Sequence, residues 1–423
     1  MDNNEKYIVC GGKRLRGEVE VLAAKNSVLP IIACCITVCG EVRLRNIEPL
    51  TDIKNMLLIL KSLGGTYLFD GSDLIIDCRK LNKHSVSRDL TGMLRSSVFI
   101  LGPLVSKFRR AEISYPGGCD IGLRPIDLHL DGLKNLGVSI SENDEKIVCD
   151  GKGLHAGLVR LAFPSVGATE NLIMAATLTE GTTVIHNAAA EPEIVDLQNF
   201  INAMGGSVHG AGTGTVIVDG VKTLHGGEYT PIGDRIVAGT YLIAGAMCGG
   251  KVTVRGVRSD RLLSLTEKLR AAGAGVTERT DGVTVESSGR LNMLRKVETQ
   301  PYPGFPTDLQ APVSAMMACS KGRGYIIENL FENRFRHTVE LNKMGADIVV
   351  CGRAATVRGC TLHAAEVMAE DLRGGAALVL AALKCEGTST VSGLKHIDRG
   401  YYNLEEKITS LGGIIKRVEN SCV

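Results

Sequence analysis

The chain has 423 residues, of which 44% are hydrophobic and 22% charged, with a net charge of +2. That length favours two or three domains over one, and the balance allows a large core while excluding a polybasic nucleic-acid or membrane-surface binder. Fifty glycines, few aromatics and no Trp predict many tight turns between short regular elements, against a usual glycine share of ~7%.

From the N-terminus, residues 7–10 read as a strand that precedes any repeat and must pair elsewhere, with the C-terminal half. Ile53, Met56, Leu57, Leu60 and Leu63 then recur at helical spacing and stop at Leu63-Gly64-Gly65, a left-handed glycine stop. The same stop returns at Leu136-Gly137-Val138, Met204-Gly205-Gly206, Ala272-Gly273-Ala274, Met344-Gly345-Ala346 and Leu411-Gly412-Gly413, 67 to 73 residues apart. Small-residue helices at 170–177 and 378–383 precede alternating strands at 181–186, 250–255, 324–327 and 387–391. Hairpins follow the stops, as at 275–285, where Asp281-Gly282 supplies the turn.

The repeated unit therefore reads strand, helix, strand, helix, strand, strand. Solenoid repeats are shorter, ~20–45 residues, so six units of this size predict an α/β fold of two domains with three units each. The boundary falls near 226–231. The first domain is expected over 25–230 and the second over 1–24 plus 231–423, with the N-terminal strand pairing in the second. The 13 cysteines are odd in number, without repeated spacing or a C-x-x-C pair. Reduced thiols are expected rather than a disulfide framework or a zinc site. The first twenty residues hold charges and no apolar stretch, and no apolar run reaches ~18 residues. Neither a secretory leader nor a membrane span is expected, and the location is expected to be cytoplasmic.

Two places in the unit carry unusual polar residues. Before the first helix stand Lys25-Asn26, Arg95, Pro164-Ser165-Val166-Gly167, Asp234-Arg235, Thr307-Asp308 and Asp371-Leu372-Arg373. At the second helix stand Thr51-Asp52, Arg124-Pro125-Ile126-Asp127, Glu193 to Asp196, Ser259-Asp260, Asn333-Arg334 and Asp398-Arg399. Helix capping accounts for Asp52, Asp196 and Asp260. Capping leaves the cations unexplained, because a positive side chain at a helix N-terminus opposes the dipole. A shared anion would offset that cost, since helix starts and Arg forks both bind phosphate and carboxylate. The pattern points to a multi-anionic ligand between helix ends of the two domains, with a solvated surface role still open for any single Arg. The loop 115–122 sets three glycines around Cys119, close to Arg124, where a basic neighbourhood favours thiolate. No Walker A sequence and no dinucleotide fingerprint occurs.

These residues, in this order, resemble the UDP-N-acetylglucosamine enolpyruvyl transferases nearly end to end. The motifs are A-A-K-N at 23–26, L-G-P-L-V at 101–105, P-G-G-C-D-I-G at 116–122, R-P-I-D-L-H at 124–129 and P-S-V-G-A-T-E-N at 164–171. E-P-E-I-V-D at 191–196, F-P-T-D at 305–308, F-E-N-R-F at 331–335, D-L-R at 371–373 and H-I-D-R-G-Y at 396–401 continue the match. The resemblance implies an inside-out α/β barrel of two domains. It implies transfer of the enolpyruvyl group of phosphoenolpyruvate to the 3-hydroxyl of UDP-N-acetylglucosamine, releasing phosphate, as the committing step of peptidoglycan precursor synthesis. Both substrates are small molecules, and no cofactor, metal, nucleic acid or membrane partner is implied.

By the same resemblance Lys25, Asn26, Arg124, Arg334, Arg373 and Arg399 hold phosphoenolpyruvate. Asn26, Arg95, Arg124, Pro125, Ile126, Asp127, Leu128, Ser165, Val166, Gly167, Asp308 and Ile327 hold the UDP-sugar. Asp308 is the candidate base and Cys119 the candidate acid or covalent nucleophile, with Lys25 and Arg399 also in the catalytic set. Phe163, Val237 and Tyr402 depart from the residues common among relatives (Lys, Glu and Glu). The nearest rival is the shikimate-pathway transferase, separable by competition with shikimate 3-phosphate. An RNA phosphate cyclase-like enzyme would need His396 as its catalytic histidine. A non-catalytic UDP-sugar-binding regulator is disfavoured by the presence of Lys25 and Asp308.

Overall fold

The computed structural model describes residues 5–117, 126–143 and 145–419. It is an α/β structure of six four-stranded sheets. The chain divides into two compact units. The N-terminal unit holds residues 22–117 and 126–232, and the C-terminal unit holds 5–21 and 233–419.

One repeat illustrates all six. Leu158–Arg160 runs parallel to Thr182–His186, which lies antiparallel to Thr215–Asp219, itself antiparallel to Ser207–His209. The helix Val166–Ala176 joins the first two strands, and Pro192–Ala203 leads from Thr182–His186 to Ser207–His209. In Thr182–His186 only Thr183 and Ile185 are buried, the period of two of a sheet with one wet face.

The first helix of each repeat lies at the centre of its unit. Every residue of Arg235–Cys248 and of Gln310–Ala318 is buried, as befits helices apolar on all sides. With Leu372–Lys384 they pack against one another, and the sheets stand outside them. Lys25–Cys34, Leu101–Phe108 and Val166–Ala176 form the corresponding set in the N-terminal unit. The second helices are amphipathic: Thr51–Ser62 buries Ile53, Met56, Leu57, Ile59 and Leu60 and exposes its other side. This is an inside-out α/β barrel arrangement in each unit.

The six repeat stops share one backbone state. Gly64, Gly137, Gly205, Gly273, Gly345 and Gly412 all have φ between +84° and +105°, where any L side chain is strained. At Gly137 a Cβ would also lie 2.2 Å from the Gly153 carbonyl oxygen.

Strands distant in sequence complete three of the sheets. Leu224–Tyr229 runs parallel to Val38–Leu44, and Leu15–Glu20 parallel to Gly250–Arg255. Glu5–Cys10 lies between Thr388–Ser392 and Ile414–Glu419, antiparallel to both. The segment expected as the boundary thus holds a strand through Tyr229. Asp196 fastens this end of the N-terminal unit, accepting from the Tyr229 hydroxyl (2.6 Å) and from the Ile232 N–H (3.1 Å). In the C-terminal unit Arg417 does the fastening. It donates to Glu5 (2.9 Å), Asp398 (2.5 Å) and Glu405 (3.1 Å), and its guanidinium lies 5.1 Å from the Tyr7 ring centroid. No helix of the described residues is long and apolar enough to cross a membrane.

Candidate functional site

The first set of polar residues singled out in the sequence stands at the N-terminal ends of the central helices. Lys25 and Asn26 open Lys25–Cys34, and Arg95 opens the short turn Arg95–Ile100 that leads into Leu101–Phe108. Ser165 caps Val166–Ala176, its hydroxyl accepting from the Ala168 N–H at 3.3 Å. Asp234 caps Arg235–Cys248, accepting from Ile236 and Val237, both at 2.9 Å. Thr307-Asp308 precedes Gln310–Ala318, and Asp371 caps Leu372–Lys384 through the N–H groups of Arg373 (3.0 Å) and Gly374 (2.9 Å).

Capping therefore belongs to Ser165, Asp234 and Asp371, and the capping expectation for Asp52, Asp196 and Asp260 is corrected. Asp52 lies inside the first turn of its helix, makes no cap, and meets Lys25 Nζ at 3.0 Å. Asp196 sits within Pro192–Ala203 and serves Tyr229 and Ile232. Asp260 pairs with Arg258 at 2.6 Å. Distant partners hold Asp52 and Asp196, whereas the partner of Asp260 stands two residues before it.

In the C-terminal unit two arginines converge on one carboxylate. Arg334 Nη2 donates to Asp308 Oδ1 at 2.5 Å and Arg373 Nη2 to Asp308 Oδ2 at 3.1 Å. Arg334 and Arg373 are only 5% and 3% exposed, so neither is a solvated surface cation. Arg334 lies 5.6 Å from the Phe331 ring centroid and Arg373 5.4 Å from that of Tyr401, a stacking that suits guanidinium. The Tyr401 hydroxyl in turn shares a 2.9 Å hydrogen bond with Thr240. Arg334 Nε and Arg373 Nε and Nη1 are buried without a hydrogen-bond partner among the described residues. Donor capacity remains there for an anionic group.

His337 lies beside this cluster. Burial pushes its ring down to about 4, Asp371 opposing that shift and Arg334 adding to it. It is neutral at pH 7. Arg399 is half-buried and follows Asp398, which Arg417 holds. Arg235 is buried, with its guanidinium 5.6 Å from the Tyr302 ring centroid.

In the N-terminal unit the buried Lys25 pairs with Asp52, and Arg95 donates to the Pro116 carbonyl at 3.3 Å. Asn171 binds three segments together: it accepts from the Gly102 N–H (2.6 Å) and donates to the Val98 carbonyl (2.8 Å) and to His129 Nδ1 (3.0 Å). Burial drives His129 down to about 3, with Arg95 contributing, so this ring is neutral too. Gly167 faces it closely: a Cβ there would stand 3.0 Å from His129 Cε1 and 3.1 Å from Phe99. Ser165, Val166 and Gly167 are half-buried at this helix start, Ile126 is buried, Leu128 half-buried and Asp127 exposed.

Glu170, one turn into the same helix, is fully buried. Burial raises its pKa well above the ordinary carboxyl value, and Glu193 and Glu191 add to the rise. Ile327 ends a strand, its carbonyl accepting from the Thr299 N–H at 2.9 Å. A carbonyl oxygen has a second lone pair, so this sheet bond leaves one acceptor position on Ile327. Cys119, Arg124 and Pro125 lie outside the described residues. Of the departures, Val237 is core, whereas Phe163 and Tyr402 are exposed. Sequence reasoning missed His129–Asn171 as a hydrogen-bonded pair, Arg417 as a fastener and Glu328, described below. His129 and Asn171 stood inside quoted motifs without a role, and Arg417 stood outside them.

Comparison with known proteins adds the rest. Residues 9–408 match the family model of EPSP synthase (3-phosphoshikimate 1-carboxyvinyltransferase). A UDP-N-acetylglucosamine 1-carboxyvinyltransferase 2 from Caldanaerobacter subterraneus subsp. tengcongensis is 48% identical over 98% of this chain and 99% of its own length. A UDP-N-acetylglucosamine 1-carboxyvinyltransferase 1 from Symbiobacterium thermophilum is 47% identical, covering 98% and 96%. Among solved structures, the enolpyruvyl transferase NikO from Streptomyces tendae matches with a TM-score of 0.88 at 25% identity, covering 99% of both chains. EPSP synthase from Acinetobacter baumannii matches at 0.76 and 16% identity, covering 98% and 100%, a likeness of fold. The chain belongs to the EPSP synthase family of enolpyruvyl transferases, among the UDP-N-acetylglucosamine 1-carboxyvinyltransferases.

Proposed function

We propose that the protein transfers the enolpyruvyl group of phosphoenolpyruvate to the 3-hydroxyl of UDP-N-acetylglucosamine and releases phosphate, the committing step of peptidoglycan precursor synthesis. The geometric observation that supports it best is the Asp308 carboxylate clamped by two buried arginines that keep further buried N–H groups. One carboxylate fixed in orientation, beside cationic forks with donors to spare, suits a reaction that moves a hydroxyl proton while an anion is bound.

The chemistry is addition followed by elimination. The sugar oxygen bonds to C2 of phosphoenolpyruvate, its proton passes to Asp308, and C3 gains a proton. The C2–O bond to phosphate then breaks and C3 returns a proton. Asp308 is the base, and Cys119 is the acid or a covalent nucleophile at C2. Lys25, Arg124 and Arg399, with Arg334 and Arg373, carry the carboxylate and the departing phosphate. A cation fork aimed at developing charge stabilises it without reorganising. Asn26 and Asp308 bear on the sugar, and Arg95, Arg124 to Leu128 and Ser165 to Gly167 on the nucleotide. Both substrates are phosphorylated metabolites, which suits a cytoplasmic enzyme.

The test is phosphate release from phosphoenolpyruvate by the purified protein with UDP-N-acetylglucosamine, with shikimate 3-phosphate, or with neither. Release only with the UDP-sugar is expected. Release with shikimate 3-phosphate would reassign the substrate. UDP-sugar binding without any release would make the protein a non-catalytic binder.

A further inference from the structure

Glu328 follows the strand Arg323–Ile327 and is fully buried. Its Oε1 accepts from the Thr299 hydroxyl (2.9 Å), the Leu330 N–H (2.9 Å) and the Phe331 N–H (3.2 Å). Its Oε2 accepts from the Thr307 hydroxyl at 2.8 Å. All four donors are neutral. Thr299 is itself fully buried, and its oxygen accepts from the Asn329 N–H at 3.0 Å. A carboxylate taken out of water costs several kcal/mol, and only a full set of donors offsets that.

The two segments so joined meet again at the site. Thr307 precedes Asp308. Phe331 lies three residues before Arg334, whose guanidinium is 5.6 Å from the Phe331 ring centroid. Asp308 and Arg334 then bond each other at 2.5 Å. A residue that merely shaped the turn 328–331 would need the bonds to Leu330 and Phe331 and not the one to Thr307, 21 residues away.

We propose that Glu328 is a positioning residue for the transfer reaction: by holding Thr307 and Phe331 on one carboxylate it sets the Asp308 carboxylate in register with the Arg334 fork. The role rests on the enolpyruvyl-transfer reading above. Glu328→Ala releases both segments. Glu328→Gln keeps an oxygen for three donors and an amide that the Thr307 hydroxyl can accept from. Thr307→Val cuts only the long-range link.

The experiment measures kcat, both KM values, UDP-N-acetylglucosamine affinity and Tm for the three variants and the parent protein. A displacement near 1 Å costs about 10²-fold in rate. Glu328→Ala should accordingly lose about that factor in kcat, Thr307→Val about tenfold and Glu328→Gln less than about fivefold, with UDP-sugar affinity held within about threefold in all. If Glu328→Ala does not fold, Thr307→Val and Glu328→Gln decide. Thr307→Val with parental kcat would overturn the positioning role, as would an equal loss of kcat and sugar affinity in Glu328→Ala and Glu328→Gln. A parent protein that releases no phosphate would overturn the transfer reading and this role with it, whereas an active parent with indifferent variants would overturn the role alone.

Discussion

The two units repeat one frame three times each and fill it differently. In the C-terminal unit Asp308 and Arg373, at two central helix starts, and Arg334, from the segment before His337, set one carboxylate between two buried arginines. In the N-terminal unit one buried lysine meets one buried aspartate, and a neutral histidine–asparagine pair binds neighbouring helices. The frame needs glycine stops and small-residue helices, which both units have. Buried charge serves no packing purpose and is costly to keep. Both units bury charge, as at Lys25, Asp52 and Glu170 in one and Arg235, Arg334 and Arg373 in the other; the C-terminal unit differs in setting two buried arginines on one carboxylate.

Substitutions at four positions sharpen this contrast, from the largest effect to the smallest. Arg373→Ala leaves Asp308 with one of its two forks, and breaking a buried pair costs about 3–5 kcal/mol. Turnover should fall by more than about 10²-fold and Tm should drop; Arg373→Lys should recover Tm better than turnover, since an ammonium lacks the planar fork. Steady-state kinetics beside thermal unfolding would reveal a purely structural arginine as one for which Lys restores both equally.

Lys25→Ala should weaken phosphoenolpyruvate binding by about tenfold or more, the scale of a charged hydrogen bond, and leave UDP-sugar binding nearly unchanged. Titration with each substrate checks this, and equal losses would make Lys25 a structural partner of Asp52.

His129 tests the neutral side of the contrast. Its ring is held near 3 in the fold, below the ordinary value of 6.5. The unfolded chain therefore takes up the proton first. The stability this burial supports is present above pH ~6.5 and is lost as pH falls toward the folded value, at about 1.4 kcal/mol per pH unit. His337, held near 4, adds to the same slope. Denaturant unfolding between pH 7 and 4 should show a shallower pH dependence in His129→Gln. An unchanged slope would mean that the ring is protonated in the fold.

Glu170→Gln should have the smallest effect. With its pKa raised well above 4.5, Glu170 favours folding below the ordinary carboxyl range, and that contribution is lost as pH rises through its folded value. The amide, nearly the same in shape, should leave Tm at pH 7 unchanged or higher. A clear drop in Tm would show that the carboxylate itself is needed.

Local chemistry was the most legible part of the sequence. All six glycine stops and the alternating strands stood out because a positive φ and a period of two leave direct marks on residue choice. The partners of Glu5–Cys10, Leu15–Glu20 and Leu224–Tyr229 were harder, since alternation says that a strand has a wet face and not which strand lies beside it. Long-range capture also explains the capping error: Asp52 and Asp196 look like helix-start residues, yet Lys25 and Tyr229 claim them from 27 and 33 residues away. The cationic helix starts carry the pattern of a ligand's footprint, and part of the balancing charge is the protein's own Asp52 and Asp308. Glu328 escaped notice between an apolar strand and the F-E-N-R-F motif. An acid directly after Ile326-Ile327 was its only signal.

The central claim is that Asp308 is the base and not merely the arginines' counter-ion. Asp308→Asn preserves the shape and one acceptor oxygen. Phosphate release in the presence of UDP-N-acetylglucosamine, measured beside UDP-sugar affinity, should fall by about 10²–10⁴-fold, the usual worth of a general base, with affinity little changed. Near-parental release in a variant that still binds the sugar would contradict the assignment and leave Asp308 a structural clamp.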